Sequence, residues 1–126
     1  MSWVTVAIAK ASDRVEIHIG AGPALIGNLA DAAGQGPAPF DLLLASLGAC
    51  TAVTLKKYAA ARDWPVEAVE VDLNVVSRQS AKGAERIVSI QGPLDTDQRE
   101  ELLAAAEQSP VTLLLRQGLR IHTELA

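Results

Sequence analysis

The sequence predicts an α+β domain. Three observations carry that reading. Short segments alternate apolar and polar residues with period two near the start, in the middle and at the end of the chain. One long stretch, about Asp41 to Arg62, is apolar nearly all the way round in its first three turns, as in a central helix buried on several sides. Two later segments open with helix-start signals. With 126 residues, 49% of them hydrophobic, the chain is long enough for one domain with a real core. Only 3% are aromatic, so Val, Leu, Ile and Ala must do the packing.

Val4, Val6 and Ile8 alternate with Thr5 and Ala7, and Val15, Ile17 and Ile19 with Arg14, Glu16 and His18. Both read as half-buried strands joined by a turn at Ser12-Asp13. Gly20 to Pro39 has no period and reads as a long loop with a short strand near Leu25-Ile26. The helix follows and ends at Trp64-Pro65, with Lys56 and Lys57 placed to suit the negative end of its dipole. Val69, Val71, Leu73 and Val75 mark a strand whose hairpin partner spans Ala84 to Gln91. Asp95 with Gln98 has the form of a capping box and opens a helix to about Gln108. Ser109-Pro110 places serine at an N-cap and proline at N1 of a short helix that ends at Gly118. Leu119, Ile121, Thr123 and Leu125 alternate with polar residues and read as a closing strand.

The net charge is −4, with no basic run, which argues against nucleic acid and against an anionic membrane surface as partners. The apolar run from Leu42 to Val53 is too short to span a bilayer, and the N-terminus lacks the form of a signal peptide. A single cysteine excludes an internal disulfide and suits a reducing, cytoplasmic setting. So apolar and so short a chain has difficulty covering every apolar face alone, which favours a homo-oligomer.

That cysteine, Cys50, lies inside the central apolar stretch. Taken alone it is either a small buried hydrophobe or a reactive thiol, and burial without a nearby cation disfavours the second. Asp41 is placed to cap the helix and is also a candidate acid at a site. Ser109 has no histidine placed by sequence to act as its base, so capping is its expected role. His18 and His122 fall on polar strand faces and show no ligand spacing with Cys50, so no metal or other cofactor is expected.

The string Gly36-Pro37-Ala38-Pro39-Phe40-Asp41-Leu42-Leu43-Leu44-Ala45-Ser46-Leu47-Gly48-Ala49-Cys50-Thr51-Ala52-Val53-Thr54-Leu55 resembles the OsmC/Ohr family, whose members reduce organic hydroperoxides. Tyr58 to Val71 resembles that family's exit from its central helix. Ser109-Pro110-Val111, Leu115 and Arg120-Ile121 resemble its C-terminal block. The resemblance implies strands around a long buried helix in an intertwined homodimer with sites built from both subunits. It implies a thiolate at Cys50 that attacks the peroxide bond and becomes a sulfenic acid. A second cysteine would close a disulfide, an arginine from the preceding loop would lower the thiol's pKa, and a glutamate would hold that arginine.

The chain keeps Cys50 and departs elsewhere. Ser109 stands at the second cysteine's position, Phe40 at the glutamate's with Asp41 beside it, and the arginine's position falls near Ala30. Arg14 is the nearest upstream arginine, and Arg78 or Arg86 of a partner subunit is a geometric substitute. Two functions follow. One is a one-cysteine peroxidase that reduces an apolar organic hydroperoxide in a pocket lined by Phe40, Leu44 and Leu47, regenerated by an external thiol. The other is a catalytically degenerate relative that binds an apolar small molecule or senses oxidation through Cys50.

Overall fold

The computed structural model describes residues 4–8, 14–28, 37–79 and 81–126. Their order is β1 (Val4–Ile8), β2 (Arg14–Ile19), β3 (Leu25–Asn28), α1 (Pro39–Ala61), β4 (Ala68–Arg78), β5 (Ala81–Gln91), α2 (Thr96–Ala106) and α3 (Pro110–Gln117). This is the mixed α+β arrangement with antiparallel strands that the alternation predicts. The chain divides into two compact units, Met1–Leu43 and Leu44–Ala126. The turn expected at Ser12-Asp13 and residues 29–36 of the expected loop lie outside the described residues.

In the first unit, β1, β2 and β3 form an antiparallel meander, with Val6 opposite Ile17 and Ile17 opposite Leu25. Val15 and Ile17 are half-buried as expected, but β1 is exposed along its whole length. Among the described strands it is an edge strand: pairing to β2 takes up the backbone groups on one side and does not cover Val4, Val6 or Ile8.

In the second unit, β4 and β5 pair as a long antiparallel hairpin in which Val69 faces Ile90, Val71 faces Val88 and Leu73 faces Arg86. These six residues are half-buried, while Glu70, Asp72, Ile87 and Ser89 between them are exposed. The hairpin's inward face packs on α1 and α2. Leu55 and Ala59 of α1 and Leu102 and Ala106 of α2 form the buried centre, with Tyr58, Trp64, Val69, Val88, Ile90 and Leu94 against it. Helix α2 opens with the expected capping box: the Asp95 carboxylate accepts from the Gln98 N–H at 2.7 Å, and Gln98 Oε1 accepts from the Asp95 N–H at 2.9 Å. Arg99 then ties α2 to the end of β5 by donating to the Ile90 and Gly92 carbonyls.

Helix α1 differs from expectation in three ways. First, its 23 residues are long and apolar enough to cross a membrane by length and composition alone, longer than the Leu42 to Val53 run implied. It nevertheless carries a buried stripe, Leu47, Gly48, Thr51, Leu55 and Ala59, packed against its own chain as a core helix does. Second, it is not buried on several sides: Phe40, Leu43 and Val53 are exposed. Third, it continues to Ala61, so Lys56 and Lys57 precede its last turn and the expected dipole contact does not form. Arg62 takes that end instead, donating to the Tyr58 carbonyl at 3.2 Å while its guanidinium stacks on the Tyr58 ring. Asp63, at φ 55°, closes the helix: the Trp64 N–H returns to the Ala59 carbonyl and the Asp63 N–H to the Ala60 carbonyl.

The expected closing strand is not formed. Residues 119–126 belong to no helix or strand, and Leu119, Ile121 and Leu125 are 65%, 79% and 101% exposed. Alternation marks a segment able to form a strand, but a strand exists only when paired, and no described strand pairs with this one.

Two glycines permit close packing. A Cβ on Gly48 would lie 2.8 Å from Leu73 Cδ1, so the lack of a side chain brings α1 down onto β4. Gly92, at φ 141°, leaves no room for a Cβ against the Pro65 carbonyl oxygen. Gly92→Ala is therefore expected to cost about 3 kcal/mol in denaturant unfolding. Gly48→Ala is expected to be near neutral, because a helix-propensity gain of about 1 kcal/mol offsets the shift of one leucine methyl group.

Candidate functional site

Cys50 lies on α1 beside the buried stripe, between Leu47 and Thr51, and is half-buried. The thiol is thus neither sealed in the core nor fully in solvent. Among the described residues it has no disulfide, hydrogen-bond or ionic partner.

The residue after it opens a polar network. Thr51 is fully buried, and its hydroxyl donates back to the Leu47 carbonyl at 2.7 Å within the same helix. The same oxygen accepts from Arg86 Nη1 at 2.9 Å. Arg86 Nη1 also donates to Thr112 Oγ1 at 2.7 Å, and Nη2 to Glu107 Oε1 at 3.3 Å. Thr112 shares a 2.5 Å hydrogen bond with Ser109. One guanidinium, its side chain 12% exposed, therefore joins the turn of α1 that carries Cys50, the end of α2 and the first turn of α3. A buried charge requires such partners, and here a carboxylate and two hydroxyls supply them.

Glu107, the C-cap of α2, also accepts from Arg116 in the last turn of α3. That hydrogen bond, with the charges of Arg116 and Arg86, holds its carboxyl below the ordinary value of 4.5, against a smaller opposing effect of burial.

The structure places the expected site residues as follows. Asp41 is not the N-cap of α1 but its third residue, since the helix begins at Pro39. Its carboxylate accepts from the Ala38 N–H at 3.0 Å, the return half of a capping box. Eight residues of helix lie between it and Cys50, and it is exposed to solvent at the helix start. Ser109 is at the N-cap of α3 with Pro110 at N1, as expected, but its hydroxyl makes no cap hydrogen bond. It is fully buried and committed to Thr112. Leu47 is buried, Leu44 half-buried and Phe40 exposed. At i, i+4 and i+7 they share one face of α1, which Thr51 continues.

His18 and His122 each face a neighbouring glutamate, Glu16 at 2.8 Å and Glu124 at 3.1 Å, in exposed positions. Among the described residues no three His, Cys, Asp or Glu side chains group to hold a metal. Ala30 lies outside the described residues, as do the side chains of Arg14 and Arg78.

The sequence offers Arg86 only as a group supplied by a partner subunit. The structure shows it reaching Thr51 and Thr112 of its own chain. The signal was present in β5, where Arg86, Val88 and Ile90 share one face: a charged residue in an apolar register.

The sequence model of a family described as OsmC-like protein matches residues 32–124. The chain belongs to this family. No curated protein matches the sequence. Among solved structures, an OsmC-like protein from Mycoplasma pneumoniae superposes with TM-score 0.76 at 17% identity, over 92% of this chain and 87% of that one. The organic hydroperoxide resistance protein OhrB of Bacillus subtilis gives 0.68 at 23% identity, over 92% and 90%. An organic hydroperoxide resistance protein OsmC from Legionella pneumophila gives 0.69 at 19%, over 92% and 89%. At these identities the likeness establishes the OsmC-like fold.

The Glu107 contacts give a pH dependence with a definite sign. A carboxyl lowered in the folded state adds stability above its unfolded value, and that stability is lost as pH falls through the folded value. Thermal melts from pH 6 downward are therefore expected to fall more steeply below about 4.5 for the natural chain than for Glu107→Gln.

Proposed function

We propose that this OsmC-like protein is a thiol-dependent reductase of organic hydroperoxides in oxidative-stress defence, acting through Cys50. The observation that carries the reading is the half-buried position of this single cysteine on the central helix, in the string that resembles the peroxide-reducing family. The named hydroperoxide resistance proteins among its structural neighbours support it.

In the proposed step the Cys50 thiolate attacks one peroxide oxygen and the O–O bond breaks. Sulfur is oxidised to a sulfenic acid, and the organic fragment leaves as an alkoxide that takes up a proton to become the alcohol. Ser109 has no thiol to resolve that sulfenic acid. One external thiol therefore condenses with it, releasing water and leaving a mixed disulfide. A second external thiol then attacks the outer sulfur of that mixed disulfide, which frees the Cys50 thiolate, and the two external thiols leave joined as a disulfide. The apolar face of Phe40, Leu44 and Leu47 favours an alkyl peroxide over hydrogen peroxide. The working setting is a reducing cytoplasm.

One observation favours the second reading, a relative that binds an apolar molecule or senses oxidation without turnover. Ser109 is fully buried and locked to Thr112, so this position has been absorbed into the packing. Incubation with an alkyl hydroperoxide, followed by mass spectrometry of Cys50, separates the two. Peroxidase action predicts that Cys50 gains one oxygen faster than free cysteine does, that consumption of the peroxide needs added thiol, and that Cys50→Ser abolishes it. Oxidation no faster than that of free cysteine leaves the binding role.

A homodimer is part of the proposal. Val53, Leu114, Leu119 and Ile121 are exposed in the single chain, and a second copy would supply cover for such apolar side chains. Native mass spectrometry is expected to show the mass of two chains, and a monomer at micromolar concentration would remove this part.

A further inference from the structure

We propose that Arg86 is a positioning residue for Cys50, acting through Thr51. The inference rests on the reading of Cys50 as the reactive group, and adds to it the device that orients the thiol.

Arg86 sits where β5 calls for an apolar side chain. It shares a face with Val88 and Ile90 and stands opposite Leu73. Taking a guanidinium out of water at such a point is costly, and a well-packed apolar residue would serve packing at least as well. What an apolar residue cannot do is direct N–H groups at fixed angles from one plane. Nη1 divides its donors between Thr51 on α1 and Thr112 on α3, while Glu107 holds Nη2. Because the guanidinium is planar and rigid, these bonds fix one turn of α1 against the first turn of α3. The turn so fixed is closed by the Thr51 hydroxyl on the Leu47 carbonyl, and Cys50 lies within it. Its rotation decides how far the half-buried sulfur faces solvent. Ser109 is drawn into the same network through Thr112.

The test reads Cys50 without peroxide, so it is independent of whether the peroxidase reading holds. The rate of Cys50 alkylation by iodoacetamide at fixed pH is measured on the folded protein for the natural chain, Arg86→Met, Arg86→Lys, Thr51→Val and Arg86→Met/Thr51→Val. Thermal melts of each variant run alongside. Arg99→Met is the control, an arginine that docks α2 on β5 away from the Cys50 turn.

Arg86→Met and Thr51→Val are each expected to change the rate about threefold or more, in the same direction. The double variant is expected to go no further than the larger single effect, the signature of two residues acting through one contact. Arg86→Lys keeps the charge without the fork and is expected to behave like Arg86→Met. Arg99→Met is expected to lower the melting temperature and leave the rate unchanged. Should Arg86→Met not fold, Arg86→Lys with Thr51→Val completes the same cycle. Lowered melting temperatures with rates at the natural value, additive effects in the double variant, or a lysine variant at the natural rate each overturn the proposal.

Discussion

The second unit is organised around the burial of one positive charge. Arg86 enters the inward face of β5, and its guanidinium must find acceptors there, because an unpaired buried charge would cost several kcal/mol. The acceptors come from three other elements: Thr51 of α1, Glu107 at the end of α2 and Thr112 of α3. Each of them also has a second partner. Thr51 bonds Leu47, Thr112 bonds Ser109, and Glu107 bonds Arg116. The network therefore constrains directions as well as distances, which apolar packing alone does poorly.

That directional constraint sits beside a non-directional one. Leu55, Ala59, Leu102 and Ala106 make the dry centre of the unit, and Gly48 lets α1 approach Leu73 closely. The helix is thus held along one stripe: by apolar contact towards its C-terminal end, and by the Arg86 network one turn earlier. Cys50 is on the flank of this stripe. A side chain there is fixed by its helix yet partly open, the combination that the proposed reaction of Cys50 requires. The other apolar side chains of α1, Leu43 and Val53 among them, remain outside the stripe.

The polar positions show how one signal supports different outcomes. Asp95 and Gln98 form the capping box that their spacing predicts, since both partners lie within one turn. Asp41 has the same local logic shifted by three residues: Pro39 begins the helix, so the carboxylate reaches back to Ala38 instead of capping forward. Ser109 occupies an N-cap, but its hydroxyl turns to Thr112, because the Thr112 oxygen is already oriented by Arg86. Leu119 to Leu125 has a strand's pattern without a strand's pairing.

The sequence by itself determined the types of the elements that form, the hairpin, the starts of α2 and α3 and the family, because these rest on period, capping and contiguous strings that need only near neighbours. It also marked Cys50 as the one thiol on the central helix. Only the tertiary structure decided what surrounds that helix turn. Arg86 meets Thr51 across 35 residues of chain and Thr112 across 26. Contacts that distant depend on how the hairpin face, α1 and α3 come together, and no local pattern carries that information. For the same reason Ser109, at the N-cap expected of it, has its partner set through Thr112 and Arg86, whereas Asp41 finds its partner locally at Ala38.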